Sequence, residues 1–309
     1  MRRAVVDVGS NAVVLAVMEK QKAKWQPIAD SSQVTALGEG LKHTGLLNEA
    51  AMERTLHALA EAWGVASKLG ADTQAYGTMA LRLAQNASEF LERAQEQETP
   101  VAVLSGEEEA LLGLLAVATD AAFPGERVVC VDVGGHSTEL GLYDRMAQKP
   151  IWQKSFPIGT LGLRSLLGDE ETLDRRSLLR ACELVDDALV EVPADNSSPR
   201  PTVVAVGASA TNLASIEREL SRWDPDQVHG SILSYETISR FVGKTWSWTD
   251  EERASLVGIE PGRESTIHLG ALILERALHA LRAEEVGVSV RGWRHAIIED
   301  DTYWFQEKS

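Results

Sequence analysis

The sequence predicts an α/β protein of two domains, each with a mixed sheet flanked by helices. Three observations carry this. Short β-branched runs alternate with segments of helical periodicity. Some of these runs are close enough to pair as hairpins across glycine-containing turns. An Asp-Val-Gly turn unit at Asp7 returns at Asp132, the kind of echo left by two related halves. At 309 residues and 44% hydrophobic content the chain can bury a sizeable core, and its length suits two domains better than one.

Residues 4–8 (AVVDV) and 12–18 (AVVLAVM) predict two strands joined by a tight turn of Gly9, Ser10 and Asn11. Met52, Leu56, Leu59, Trp63, Ala66 and Leu69 fall at helical spacing over 49–69, and Asn48 is placed to cap that helix. Residues 101–116 read as a strand, a turn at Ser105 and Gly106, and a helix whose first turn holds Glu107, Glu108 and Glu109. A second hairpin is predicted by 128–133 (VVCVDV) and 138–142 (TELGL), around Gly134, Gly135, His136 and Ser137. Helices follow over about 172–191 and 264–282, with strands at 202–206 and 286–290 and a polar loop at 193–201 (PADNSSPRP). The domain boundary is placed near residue 122, before Phe123, Pro124 and Gly125. That gives domains of 1–122, with the first loop and the glutamates, and 123–309, with the second loop.

The formal charge of −16 argues against a broad nucleic-acid footprint, which would be basic. An acidic chain that handles a polyanion must therefore do so locally, through backbone amides at tight turns, a few arginines and a divalent cation. The apolar run that follows Met1, Arg2 and Arg3 is too brief for a signal peptide or membrane span, so a cytoplasmic protein without membrane contact is expected. Cys130 and Cys182 lack metal-like spacing and read as buried thiols.

A strand ending in Asp and followed by Gly and small polar residues has a chemical use. The glycine lets amides approach an anion, and the small side chains add donors. Asp7 with Gly9, Ser10 and Asn11 makes one such loop, and Asp132 with Gly134, Gly135, His136 and Ser137 makes another. Either alone is more often a plain hairpin turn; two facing each other would clamp phosphate. Residues 206–212 (VGASATN), with Gly207 and Ser209, make a third candidate loop. Glutamates at a helix N-terminus complement its dipole, or one of them serves as general base toward water. Arg82 has the planar fork that bridges phosphate oxygens, although an ion pair is the default for a lone arginine.

Taken together these segments resemble, in order, the signature blocks of the exopolyphosphatase and guanosine-pentaphosphate phosphatase family. The blocks are DVGSN at 7–11, LGEGL at 37–41, TMALRLAQN at 78–86, LSGEEEA at 104–110, VDVGGHSTEL at 131–140, FPIGTLGLRSL at 156–166, VGASAT at 206–211 and SVRGWR at 289–294. The resemblance implies two actin-like (ribonuclease H-like) domains with a cleft between them, and magnesium-dependent (or manganese-dependent) release of the terminal phosphate of inorganic polyphosphate or guanosine pentaphosphate. It implies Glu109 as catalytic base, with Glu108 the less favoured neighbour and Arg82 joining the phosphate contacts of Asp7, Gly9, Ser10, Asn11, Gly134, Gly135 and Ser137. Asp132 and Glu139 would hold the metal or the attacking water. Gly207 and Ser209 fall in a further matching block.

The chain departs from the family pattern at His136, where a small residue is usual. A protonated imidazole there could donate to phosphate; the alternative is a solvent-facing turn histidine. His295 and Ala296 stand where Glu and Gly are more usual. The chain stops soon after the two core domains, which favours shorter polyphosphate chains. The competing readings are a non-catalytic sensor of polyphosphate or nucleotide, motivated by His136, and a kinase or ATPase of the same superfamily. A homodimer is the default assembly.

Overall fold

The computed structural model describes residues 1–22, 24–168, 173–193 and 199–304. It divides into two compact units, one of Met1–Leu112 together with the segment from Trp293 onward, the other of Gly113–Gly292.

The first unit opens with β1 (Arg2–Val8), β2 (Ala12–Gln21) and β3 (Lys24–Val34), an antiparallel meander. Then come α1 (Leu41–Thr44), α2 (Glu49–Lys68), β4 (Asp72–Gly77), α3 (Met79–Leu83), α4 (Ala87–Glu96), β5 (Val101–Val103) and α5 (Gly106–Ala118). The sheet order is β3-β2-β1-β4-β5, with β4 parallel to β1 and to β5. Pairing of Ala4 with Val17, Val6 with Leu15 and Val8 with Val13 puts all six side chains on one face, where they form a core with Met52, Leu56, Leu59 and Phe90. The expected cap is present, since the Asn48 side chain accepts from the amides of Ala50 and Ala51. β3 was not foreseen. Its sequence KWQPIADSSQV is largely polar and exposed because it is an edge strand with little surface to bury.

The second unit repeats this plan. β6 (Arg127–Val133), β7 (Thr138–Asp144) and β8 (Lys149–Phe156) form an antiparallel meander, followed by α6 (Thr160–Leu167) and α7 (Arg175–Ala188). The rest comprises β9 (Thr202–Val206), α8 (Gly207–Glu217), α9 (Pro225–Val228), β10 (Ser231–Ser234), α10 (Tyr235–Thr245), α11 (Asp250–Ala254), α12 (Ile267–Leu281) and β11 (Glu285–Val288). The order β8-β7-β6-β9-β11 matches β3-β2-β1-β4-β5, with β10 added antiparallel at the edge. The short echo at Asp7 and Asp132 is thus the visible part of a duplicated topology. α12 is buried along nearly its whole length and packs against α6, α7, α8 and α10.

Several expectations change. The units divide at residues 112 and 113, inside α5, and not at the Phe123-Pro124-Gly125 turn; a continuous helix leaves no compositional mark where packing changes hands. The second expected domain also loses its end, because the chain from Trp293 returns to the first unit as α13 (Trp293–Glu299) and α14 (Asp301–Trp304). Cys182 is only half-buried, since α7 turns Ala181 and Val185 inward; Cys130 is fully buried. Part of the predicted loop at 193–201 and the start of the helix at 172 lie outside the described residues. Among the described residues no helix is long and apolar enough to cross a membrane.

The returning segment is fastened by a buried arginine. Arg3, 1% exposed, donates from Nη1 to the Ile298 carbonyl at 2.8 Å and pairs through Nη2 with Asp301 at 2.7 Å. Its guanidinium lies 5.0 Å from the Trp25 ring centre and 4.7 Å from that of Trp304. Trp304 Nε1 donates to Asp72, Gln74 Nε2 donates to the Trp304 carbonyl, and Trp293 meets Tyr76 edge-on at 6.2 Å. Arg3→Leu removes the buried donor to the Ile298 carbonyl and the cation held between two tryptophan rings, so it is expected to lower the unfolding free energy by about 3 kcal/mol. Urea denaturation measures this, and hydrogen exchange should show α13 losing protection first.

Candidate active site

Both strand-end loops are built by the same local device. In the first, the Gly9 amide donates to the Ala12 carbonyl at 3.0 Å; in the second, the Gly134 amide donates to the Ser137 carbonyl at 2.9 Å. A Cβ at Gly9 would sit 2.9 Å from the Ala12 oxygen, and one at Gly134 3.0 Å from the Ser137 oxygen, so each turn closes on a glycine. The carbonyls of each turn are then tied down from outside. Ser10 O accepts from Gly38, and Asn11 O accepts from Thr35 and Ala36. Gly134 O accepts from Thr160, and Gly135 O from Leu161 and Gly162. Among the described residues no backbone carbonyl accepts from the amides of Ser10 or Asn11. Donors with fixed direction and no backbone acceptor are what an anion-binding turn requires.

His136 corresponds in this alignment of loops to Asn11, and both are buried. At 2% exposure, His136 is not a solvent-facing turn histidine. The reason is the tightness of the packing beneath it: a Cβ on Gly159 would come within 2.5 Å of the His136 amide nitrogen and of the Gly135 carbonyl carbon. Ser137 is buried too.

The two glutamates that the sequence left in competition have different surroundings. Ser105 caps α5: its Oγ accepts from the Glu108 amide at 3.1 Å, and Glu108 Oε2 accepts from the Ser105 amide at 2.9 Å. This is a capping box, so Glu108 serves the helix end. Glu109, one residue further on, turns to a different face and is buried. Its Oε2 accepts from Arg82 Nη1 at 3.0 Å, and the same Nη1 donates to the Leu104 carbonyl at 2.7 Å. Arg82 is thereby held on the carboxylate by the backbone ahead of α5.

In the second unit Asp132 on β6 lies directly opposite Glu139 on β7, so the two carboxylates share one face of the sheet. Glu139 is buried and accepts from Ser155 Oγ at 2.6 Å. A Cβ on Gly207, whose φ is +78°, would fall 2.5 Å from Asp132 Oδ1, so the third loop touches the carboxylate of the second. Burial, reinforced by Asp132 and Glu139, pushes the neighbouring Cys130 thiol well above its usual range, consistent with an inert thiol. Ser209 has a packing role: its hydroxyl donates to the Val133 carbonyl at 3.3 Å under Gly270 of α12.

The set fits a divalent cation of the magnesium kind. Among the described residues no three His, Cys, Asp or Glu side chains converge as a closed cage. Two adjacent carboxylates, one oriented by a serine, match an ion that takes one or two carboxylates and fills its remaining positions with water and substrate phosphates.

Sequence reasoning missed Ser155 and Arg294. Ser155 becomes visible only once β8 is paired, because it lies opposite Glu139 across the ladder. Arg294 Nη1 donates to Asp7 Oδ2 at 3.1 Å across 287 positions of sequence, and no local pattern predicts that.

The model of the Ppx/GppA phosphatase family matches residues 16–303. Exopolyphosphatase 1 of Mycobacterium tuberculosis is 25% identical, covering 96% of this chain and 87% of that protein. Exopolyphosphatase 2 of the same organism is also 25% identical, covering 93% and 92%. The crystal structure of the Aquifex aeolicus Ppx/GppA family member superposes with a TM-score of 0.80 at 29% identity, covering 100% of this chain and 99% of that one. An exopolyphosphatase from Cytophaga hutchinsonii shares the fold, with a TM-score of 0.86 at 20% identity over 96% of each chain. The expected α/β class, with two mixed sheets flanked by helices, is therefore the observed one.

Glu108→Ala removes one half of the capping box and is expected to cost about 1 kcal/mol of stability. Urea titration would show it, with Glu108→Gln, which keeps an acceptor oxygen, losing less.

Proposed function

Because the chain belongs to the Ppx/GppA phosphatase family, a family of phosphoanhydride hydrolases, we propose that it is an exopolyphosphatase whose general base is Glu109. The observation that carries the residue assignment is the division of labour at α5. Glu108 is occupied by the helix cap, whereas Glu109 is buried and oriented by Arg82.

Phosphoryl transfer to water needs an in-line nucleophile, a group to orient it and charge on the equatorial oxygens. Glu109 accepts a proton from the attacking water as its oxygen bonds to the terminal phosphorus. The bridging P–O bond then breaks, leaving orthophosphate and a chain one unit shorter. Arg82 fixes the rotamer of Glu109, so the base reaches the water without reorganisation. The Ser10 and Asn11 amides supply directed donors for phosphate oxygens, as does the turn built on Gly134 and Gly135. Asp132 and Glu139 would hold a magnesium ion, which when bound supplies the positive charge that an acidic chain lacks. His136 favours no separate sensor reading, because its loop keeps the closing hydrogen bond of the first.

The decisive assay is phosphate release from short-chain polyphosphate, long-chain polyphosphate and guanosine pentaphosphate in parallel, with and without magnesium. Wild type is expected to release phosphate from polyphosphate only with the divalent cation, and chelation should abolish release. Glu109→Gln is expected to lower kcat by about a thousandfold with little change in the thermal midpoint. Wild-type turnover in Glu109→Gln would remove the base assignment, and exclusive use of guanosine pentaphosphate would replace the substrate.

A further inference from the structure

The two loop aspartates occupy the same place in the duplicated fold but are given opposite partners. Seven residues after Asp132 on the paired strand stands Glu139, a second carboxylate; seven residues after Asp7 stands Val14. The second loop therefore concentrates negative charge and the first does not. The first loop's aspartate instead receives a guanidinium, that of Arg294, at 3.1 Å, with both side chains only 13% exposed. Among the described residues Asp7 is the hydrogen-bond partner of the Arg294 guanidinium, and Arg294 Nε is buried without one. The arginine is not a stray surface group, because α13 packs on β1 and is fastened there by Arg3, Trp304 and the Trp293–Tyr76 contact.

This difference answers a question left open by the loop itself. An aspartate at the mouth of a phosphate-binding turn repels the ligand unless a cation neutralises it. We propose that Arg294 is a positioning residue that neutralises and orients the Asp7 carboxylate. It thereby does with a covalently supplied cation at the first loop what a divalent ion would do at Asp132 and Glu139. The inference rests on the phosphatase reading given above. It assigns the returning C-terminal segment, which carries the SVRGWR block, a part in substrate binding. A single contact to one carboxylate oxygen demands charge more than a planar fork, so lysine is an adequate replacement and neutral residues are not.

The test is a double-mutant cycle on the full chain with Arg294→Ala, Arg294→Lys, Asp7→Asn and Asp7→Asn/Arg294→Ala. Its readouts are KM and kcat on polyphosphate, calorimetric binding of tripolyphosphate with magnesium, and thermal midpoint. Arg294→Ala is expected to raise KM and the tripolyphosphate Kd by about tenfold or more while kcat falls less. Arg294→Lys should stay within about threefold of wild type. Once Asp7 is asparagine the cation has nothing to neutralise, so the double variant should bind no more weakly than Asp7→Asn alone. Wild-type binding in a folded Arg294→Ala overturns the proposal. So do effects of Arg294→Ala and Asp7→Asn that simply multiply, or an Arg294→Ala loss that tracks only the folded fraction. If the wild type releases no phosphate from polyphosphate, the functional reading fails, and the tripolyphosphate cycle still decides the role of Arg294.

Discussion

The closing hydrogen bond of the strand-end turn is the constraint on which the site depends. Gly9 and Gly134 each bring an amide onto a carbonyl three residues ahead, at 3.0 and 2.9 Å, in a space where a Cβ has no room. That closure sets where the Asp at the strand end stands and which way the following amides point. Everything attached to the turns repeats the logic: carbonyls are drawn outward by the next segment, Gly159 allows a helix start to press against the second loop, and Gly207 allows the third loop to touch Asp132. A site made of backbone needs glycine at its contacts and rigid strands behind it, and the paired meanders β1–β3 and β6–β8 provide those strands.

Net charge sets the second constraint. A chain of formal charge −16 offers no general attraction to a polyanion, so each cation near the loops has a specific seat. Arg82 is held by Leu104 O and Glu109, Arg294 by Asp7, and the Asp132 and Glu139 carboxylates face each other across one strand pair. The two loop aspartates are thus treated unequally, one meeting a guanidinium and the other a second carboxylate.

Much of this was legible in the primary structure. Hydrophobic alternation located β1, β2, β6, β7 and β9, because strands buried on a core face leave a period-two or continuous apolar record. Helix α2 and its Asn48 cap followed from spacing alone. β3 and β8 were missed because edge strands bury too little to write a pattern. The compact units divide within α5, where a continuous helix leaves no compositional mark.

The sequence by itself determined the α/β class, the duplicated turn and the residue types of the chemistry, since these depend on neighbours within a few positions along the chain. The Ser105–Glu108 cap is a local contact, but only the tertiary structure decided that Glu109 meets Arg82, because that depends on how α3 and α5 approach each other. It alone brought Ser155 to Glu139, Arg3 between Trp25 and Trp304, and Arg294 to Asp7. The last of these joins the two ends of the chain. Such contacts are chosen by the burial of whole elements, and a side chain's own sequence surroundings carry no trace of the partner that burial will bring.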